Sequence, residues 1–374
     1  MQEDILYLIF YGAATMLSLT ACCYLLLRRS NAIAPDVTSP VHLRRWTAAF
    51  FASITLSHVW YIPEFYFSSA EDILQCDLIG SALDFMTLVP LGIIVLLFML
   101  QDCRRPLWPV CVAVAPLVVI MMLCAVGRSV ALLPIFYLYY LWFGIVFAIY
   151  MVRQVRQYSR WLRDNYADLE HKEVWQSFIV LAVILLFFGI YTFDPYYRFV
   201  KYIMQLNSMI LVCYLLWRVE TLSDLSIQKV SDSEATPLSG SEVPIDSLKT
   251  SSPQNLTDTI GSLLQRHCVD TQLYLQHDLT AVLLAKMIGT NRYYLSRYFS
   301  QLGITYNAYI NSLRIQHFMK LFLEANAASL PVTAQQLALK SGFHNYRTFS
   351  NAFKQQIGQT VTGWIREQQG HDKP

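Results

Sequence analysis

The sequence predicts an all-α protein with two parts, a bundle of transmembrane helices followed by a helical domain in the cytoplasm. Three observations indicate this fold class. The 374 residues are 55% hydrophobic and 14% charged, with a mean hydropathy of +0.37, which is too apolar for an ordinary soluble protein. Long apolar stretches fill the first part of the chain. Near the carboxyl end, a short pattern occurs twice with the spacing of helix faces.

The apolar stretches in residues 1–220 are each long enough to cross a bilayer, which takes roughly 20 residues in a helix. Seven such stretches can be separated by their polar loops, so the sequence predicts a seven-helix transmembrane domain. The predicted spans lie near residues 4–27, 46–67, 78–100, 107–127, 129–152, 174–193 and 197–218.

The loops between these spans alternate in their content of Lys and Arg, which are retained on the cytoplasmic side of a membrane. The loops after spans one, three and five are basic, whereas residues 68–77 carry three acids and no base. This pattern predicts that the amino terminus lies outside and the carboxyl end in the cytoplasm. The basic residues are Arg28, Arg29, Arg44, Arg45, Arg104, Arg105, Arg153, Arg156, Arg160, Arg163 and Lys172.

Three ionisable residues fall inside the predicted spans, His58 and Glu64 on span two and Asp84 on span three. Ionisable groups are costly in a bilayer and are therefore functional candidates by default. One interpretation is that the three line a pocket for a small ligand. The other, which we favour, is that they pair within the bundle or reach interfacial water.

Residues 221–253 are predicted to form a flexible linker, because they are rich in Ser, Thr, Asp, Glu and Pro and contain few residues that could build a core. As a random coil the linker would span on the order of 30 Å. The domain at 254–374 could then lie beside the membrane without packing on it. Residues 221–230 could instead extend the last transmembrane helix, and the sequence leaves both options open.

The repeated pattern consists of a Leu-Ala pair, a Gly and a later Phe. The interval from the pair to the Gly is the same in both copies, and the interval from Gly to Phe differs by one residue, as a duplication followed by one insertion would give. The copies predict two helix-turn-helix units, near residues 280–301 and 333–356. The repeated residues are Leu284, Ala285, Gly289 and Phe299 in the first copy and Leu337, Ala338, Gly342 and Phe353 in the second.

The second helix of each unit has one apolar and one polar face. In the first unit Gly289 permits a sharp turn, Asn291 is placed to cap the next helix, and Leu295 and Phe299 face inward. The opposite face carries basic, aromatic and hydroxyl side chains, which suit guanine edges and phosphates. The predicted DNA contacts are Asn291, Arg292, Tyr293, Ser296 and Arg297 in the first unit and Asn345, Tyr346, Arg347, Asn351 and Lys354 in the second.

These outer faces could also be ordinary solvated helix surfaces. For one unit alone the two interpretations are about equally good, but two copies with the same composition favour DNA. The net charge agrees, since residues 253–374 contain eleven Lys and Arg against six Asp and Glu.

A set of motifs between about residues 260 and 367 runs in the order and spacing of a known family. These are Gly289-Thr290-Asn291, Tyr294-Leu295-Ser296-Arg297, Phe299, Gly303, Tyr309, Arg314-Ile315, Leu337-Ala338, Gly342-Phe343, Phe349-Ser350, Phe353-Lys354 and Gly358-Gln359-Thr360. Through them the domain resembles the DNA-binding domain of AraC/XylS-type bacterial transcription regulators. The resemblance implies a linking helix near residues 305–324 and two helices that enter successive major grooves. Departures from the family are Val361, Trp364 and Asn351.

The sequence thus predicts a sequence-specific transcription regulator in the bacterial cytoplasmic membrane that couples a signal to promoter binding. Its expected partners are double-stranded promoter DNA and the lipid bilayer, with a homodimer on DNA and a small-molecule ligand as further candidates. We expect no cofactor, no metal and no enzymatic activity. Two alternatives stay open. One is a seven-span receptor or transporter whose soluble domain docks a protein, and the other is a membrane enzyme that uses His58, Glu64 and Asp84.

Overall fold

The structure, a computed structural model, consists of helices and their connections throughout the residues that it describes. Those residues are 2–28, 30–35, 37–103, 105–193, 200–225, 253–328 and 331–371. Within these ranges, strand-like pairing is confined to one isolated antiparallel bridge between Tyr166 and Thr280. The chain divides into two compact units. The first comprises residues 1–159 and 171–226, and the second comprises residues 160–170 and 227–374.

The first unit is built from helices α1 to α8, of which α1 packs against α2 and α8, α2 against α4, and α3 against α5. The last residues of α6 belong to the second unit. The bounds are α1 Gln2–Leu27, α2 Val41–Trp60, α3 Ala70–Met86, α4 Leu88–Phe98, α5 Trp108–Gly127, α6 Leu133–Arg163, α7 Trp175–Phe193 and α8 Val200–Thr221.

Prolines account for some of the differences between these helices and the predicted spans. Pro90 has no amide hydrogen and its ring would clash with the carbonyl four residues earlier, which explains the break at Thr87 between α3 and α4. Pro63 lies in a short 3₁₀ turn, Ile62–Phe65, that follows α2. Helix α2 thus begins and ends several residues earlier than the predicted second span, 46–67. Pro116, by contrast, lies inside α5 without ending it.

The sixth helix is longer than the predicted fifth span, which ends at residue 152. Helix α6 continues to Arg163 through a stretch rich in Arg and Gln, two good helix formers. At the other end of the unit, α8 stops at Thr221. The predicted linker falls mainly on residues 226–252, outside the described part of the chain. The alternative that residues 221–230 extend α8 is not seen where these residues are described, because residues 222–224 do not continue the helix.

Five helical stretches in the described residues are long and apolar enough to cross a bilayer. They are Ile5–Leu27, Ala70–Phe98, Trp108–Gly127, Leu133–Arg163 and Val200–Thr221. A shorter apolar stretch, Trp175–Leu186, lies in α7. Apolar side chains also point outward, among them Val126 at 80% exposure and Leu138 at 71%. The count of seven spans stays a prediction.

The three ionisable residues of the predicted spans contact partners within the first unit. His58 is buried, with Nδ1 2.8 Å from the carbonyl oxygen of Ile54 and Nε2 2.9 Å from Oε1 of Gln205. The Tyr61 hydroxyl donates to Asp84 at 3.2 Å. These contacts agree with pairing in the bundle, and a shared ligand pocket stays a prediction. An open apolar hollow between α1 and α8 has other lining residues, namely Leu17, Met209, Ile210, Cys213, Tyr214 and Trp217.

Glu64 lies outside the helix on which it was predicted. It belongs to the 3₁₀ turn after α2, where it is half-buried, and its backbone N–H donates to the carbonyl of Tyr61 at 3.1 Å. Glu64 is therefore not on the regular helix of the predicted second span, because the helix ends at Trp60, shortly before Pro63.

The second unit has two hydrophobic cores that share one long helix. Helix α12 supplies Tyr306 and Ile310 to the first core and Phe318 and Phe322 to the second. It corresponds to the linking helix that the family resemblance implies near residues 305–324. The helices of this unit are α9 Pro253–Leu264, α10 Ala281–Met287, α11 Arg292–Gln301, α12 Tyr306–Ala327, α13 Ala334–Lys340, α14 Tyr346–Ile357 and α15 Val361–His371.

Candidate nucleic-acid interface

Helices α10 and α11 form a first helix pair joined by a tight turn. Thr280 caps α10, since its hydroxyl accepts from the amide of Leu283 at 3.1 Å. Gly289 has φ of +75°, the left-handed region in which glycine lets a helix stop and the chain reverse. Asn291 then caps α11, because its Oδ1 accepts from the amide of Tyr294 at 3.1 Å. The cap and the turn are confirmed as predicted from sequence.

Helix α11 presents a polar face to solvent. Leu295 and Phe299 are buried in the first core on its inner side. The outer side carries two guanidinium groups and a phenol, and Tyr293 is 66% exposed. All the predicted contact residues of this pair are exposed, namely Asn291, Arg292, Tyr293, Ser296 and Arg297.

Helices α13 and α14 form a second pair with the same plan. Thr333 and Gln336 make a capping box at the start of α13, each side chain accepting from the other residue's amide at 3.2 Å. Gly342 turns the chain with φ of +88°. Asn345 caps α14, its Oδ1 accepting from the amide of Thr348 at 2.8 Å.

The outer face of α14 is basic and exposed, but two of its predicted contact residues have other partners. Phe349 and Phe353 are buried in the second core. Tyr346 is half-buried, with its ring 5.8 Å from that of Phe349, and half-buried Asn345 donates from Nδ2 to the carboxylate of Glu170. The exposed predicted contacts of this pair are Arg347, Asn351 and Lys354.

The two pairs are joined through Arg314 on α12, for which the sequence patterns predict no role. Its side chain is 1% exposed. Nε donates to the carbonyl of Tyr274 and Nη2 to that of Gln276, both at 2.7 Å. The guanidinium also lies 5.7 Å from the ring centroid of Phe343, a cation–π contact. Burial lowers the pKa of Arg314, and nearby groups, Tyr306 first among them, oppose this.

The turn of the second pair makes a close backbone contact. A Cβ at Gly342 would lie 2.8 Å from both Cα and the carbonyl oxygen of Leu275. The carbonyl oxygen of Gly342 lies 3.1 Å from Nδ1 of His277, which, like Leu275, belongs to the connection between α9 and α10. Glycine is therefore required at this turn for its backbone conformation and for space. The sequence predicts the turn, but not the segment that approaches it.

The starts of α11 and α14 are electrostatically suited to anions. Unpaired amides and the helix dipole give the beginning of a helix a partial positive charge. Each start is capped by Asn and is followed by an exposed Arg, Arg292 in α11 and Arg347 in α14. Phosphate groups bind at such helix starts. The arrangement therefore suits contacts to the backbone of a nucleic acid.

Comparison with known proteins identifies the domain type for this part of the chain. Residues 284–367 match the model of a family described as helix-turn-helix domain. The match begins within α10 and ends in α15, so it covers the second helix pair completely and most of the first. No curated protein and no solved structure matches the chain significantly. The family match supports an AraC-type helix-turn-helix domain, and with it a DNA-binding transcription regulator.

Proposed function

We propose that the chain is a membrane-bound, sequence-specific transcription regulator whose helices α11 and α14, the reading helices, enter successive major grooves of promoter DNA. One observation carries this proposal most strongly. Within the range that matches the helix-turn-helix family, α11 is held by its apolar face and exposes Arg292 and Arg297 on the other. A major groove accepts an α-helix, and Arg can bind guanine edges or phosphates through two hydrogen bonds.

The membrane part of the proposal rests on the apolar helices of the first unit. Five of them have the length and composition for crossing a bilayer, and the basic loops predict a cytoplasmic carboxyl end. We infer a location in the bacterial inner membrane, with a signal sensed by the first unit and read out as promoter occupancy. Two copies on neighbouring sites would raise the avidity for a promoter without new contacts.

Replacing Arg297 with alanine tests the DNA-binding function. Chromosomal sites bound by the full-length protein are first mapped, and the dissociation constant for the strongest site is then measured for both proteins. Loss of a base contact costs about 1–3 kcal/mol, so we expect binding that is about 5- to 150-fold weaker. If Arg297 contacts only phosphate, binding should weaken on all sequences alike.

The control for this substitution is Lys320→Ala, which removes an exposed positive charge from α12. Its dissociation constant should stay within about twofold of the wild-type value, because it lies outside both reading helices. Affinity should also fall steeply with salt, since phosphate contacts release counterions. Binding that ignores salt and the loss of Arg297 would instead favour a protein-docking domain.

Cysteine labelling tests the proposed topology. Cys103 is exposed and lies in the loop after the third predicted span, which we place in the cytoplasm. In intact bacteria a membrane-impermeant maleimide should leave Cys103 unmodified until the cells are permeabilised, as read by peptide mass spectrometry. A Ser69→Cys variant, in the acidic loop 68–77, should be labelled without permeabilisation. Labelling of Cys103 in intact cells would reverse the topology.

A further inference from the structure

The 160–170 segment, which comprises the last residues of α6 and the start of the connection to α7, is built into the second unit. The carbonyl of Asn165 accepts from the amide of Ala281 at 2.9 Å, and so satisfies one of the unpaired amides at the start of α10. The side-chain amide of Asn307 on α12 donates to the carbonyl of Ala167 at 2.6 Å. Ala167 itself is buried in the first core. The segment is thus specifically seated on the helices that carry the candidate interface.

This segment directs a carboxylate at the start of the second reading helix. Oε2 of Glu170 accepts from Nδ2 of Asn345, the cap of α14. The same oxygen accepts from the hydroxyl of Thr348, in the first turn of α14, at 3.3 Å. A negative charge here also interacts favourably with the dipole of α14.

A second carboxylate of the segment lies beside the residue that precedes the cap of α14. Oδ2 of Asp168 is 3.7 Å from Nε2 of His344, the residue before the Asn345 cap, and His344 is also 3.1 Å from Asp278. Burial raises the pKa of Asp164, and the nearby charge of Arg292 opposes this rise. Arg292 is the first residue of α11. Two acidic side chains of the segment, Glu170 and Asp168, therefore lie at the start of α14.

Carboxylates in these positions compete with DNA phosphates for the same groups. Helix starts and exposed Arg side chains are common phosphate contacts in protein–DNA complexes. Asn345 and Thr348 cannot serve Glu170 and a phosphate through the same donors. The negative charges of Glu170 and the phosphate would also repel each other. At short range in a partly desolvated interface this repulsion is weakly screened by salt.

We propose that the 160–170 segment is an intramolecular DNA mimic, in which Glu170 occupies a phosphate-binding position at the start of α14 so that DNA binding there requires displacement of the segment. The inference rests on the proposed function and adds its regulation. Because the segment is covalently continuous with α6 and α7, a change in those helices reaches the reading helices through it. The element that controls DNA binding would thus be a segment of the same chain.

The test measures DNA binding by the full-length protein in lipid nanodiscs. The probe is a fluorescent 30-base-pair duplex of mixed sequence, read by anisotropy at low salt, so the promoter need not be known. Replacing Glu170 with Gln removes a charge and keeps an acceptor oxygen. We expect it to tighten binding by about 2- to 30-fold, the range that corresponds to a charge at a helix end.

The matched control is Glu324→Gln, which removes an exposed carboxylate from α12, 3.9 Å from Lys320. It changes the net charge by the same amount, but away from the reading helices. Its dissociation constant should change less than twofold. If Glu170→Gln and Glu324→Gln change the dissociation constant equally, the effect is one of net charge and the proposal is overturned.

Hydrogen exchange of the wild-type protein gives a second readout that needs no substitution. Adding the duplex should speed exchange of the amides in residues 164–170, because DNA displaces the segment, while it slows exchange in α11 and α14. Slower or unchanged exchange in the segment, with protected reading helices, would show that it stays seated beside DNA and would overturn the proposal. If the wild type and both variants all fail to bind the duplex, the proposed function falls, and this inference falls with it.

Discussion

Replacing Gly342 with alanine is expected to destabilise the second unit by about 2–5 kcal/mol, a large share of the roughly 5–15 kcal/mol that typically stabilises a domain. Its φ of +88° costs a residue with a side chain about 1–2 kcal/mol. The new Cβ would also lie 2.8 Å from backbone atoms of Leu275, which cannot rotate away as a side-chain end could. Overpacking of this kind adds about 1–3 kcal/mol. The free energy of opening can be measured by hydrogen exchange of the α12 amides in the full-length protein.

Gly358→Ala is the matched control for this prediction. Gly358 ends α14 with φ of +84°, nearly the same conformation, but a Cβ there would meet nothing within 4 Å. Its replacement should cost only the conformational part, about 1–2 kcal/mol. The difference between the two variants isolates the close contact with Leu275. Equal losses would show that this contact is not a constraint.

Replacing Arg314 with methionine is expected to lower the stability of the second unit by about 2–5 kcal/mol. Methionine fills a similar volume but leaves the carbonyls of Tyr274 and Gln276 without their donor. A buried polar group that loses its partner costs about 1–3 kcal/mol. The guanidinium contact with Phe343 is lost as well. Hydrogen exchange of the α12 amides reports the loss.

The control for Arg314 lies on the same helix. Lys320 is exposed and makes a long 3.9 Å ion pair with Glu324, so Lys320→Met should change stability by less than about 0.5 kcal/mol. A small effect of both Arg314→Met and Lys320→Met would mean that the carbonyls of Tyr274 and Gln276 find other donors. Arg314 would then not hold the two helix pairs together.

Local features of the second unit could be predicted from the sequence because their causes lie within a few residues. The cap at Asn291 and the turn at Gly289 depend on neighbouring backbone amides and on one φ angle. The buried positions of Leu295 and Phe299 follow from helical periodicity, which a sequence shows directly. The duplicated pattern made each copy a check on the other.

Features that depend on distant residues could not be predicted in this way. Arg314 is charged and lies in the middle of a helix, where periodicity gives no sign that it is buried against residues about forty positions earlier. The seating of Ala167 in the core of the second unit joins parts of the chain more than a hundred residues apart. Such contacts leave no local pattern, because each side is polar or small and is unremarkable by itself.

The candidate contact residues also divide into those that local spacing predicts correctly and those whose surroundings depend on distant residues. In α11 the faces predicted from spacing are the faces observed, and all its predicted contacts are exposed. In α14 the prediction did not include the neighbours of the helix start. Asn345 is engaged by Glu170, and Tyr346 packs on Phe349. Whether any of these residues touches DNA stays a prediction.

The shared helix α12 has a consequence for how this domain can change during evolution. Its early residues, such as Ile310, belong to one core and its later ones, such as Phe318, to the other. One inserted or deleted residue between them would rotate one core against the other by about 100° and shift it by about 1.5 Å. The number of residues between these positions is therefore constrained in addition to the identity of the buried ones, such as Arg314. We therefore expect insertions and deletions in this part of α12 to disrupt the packing of one core against the other.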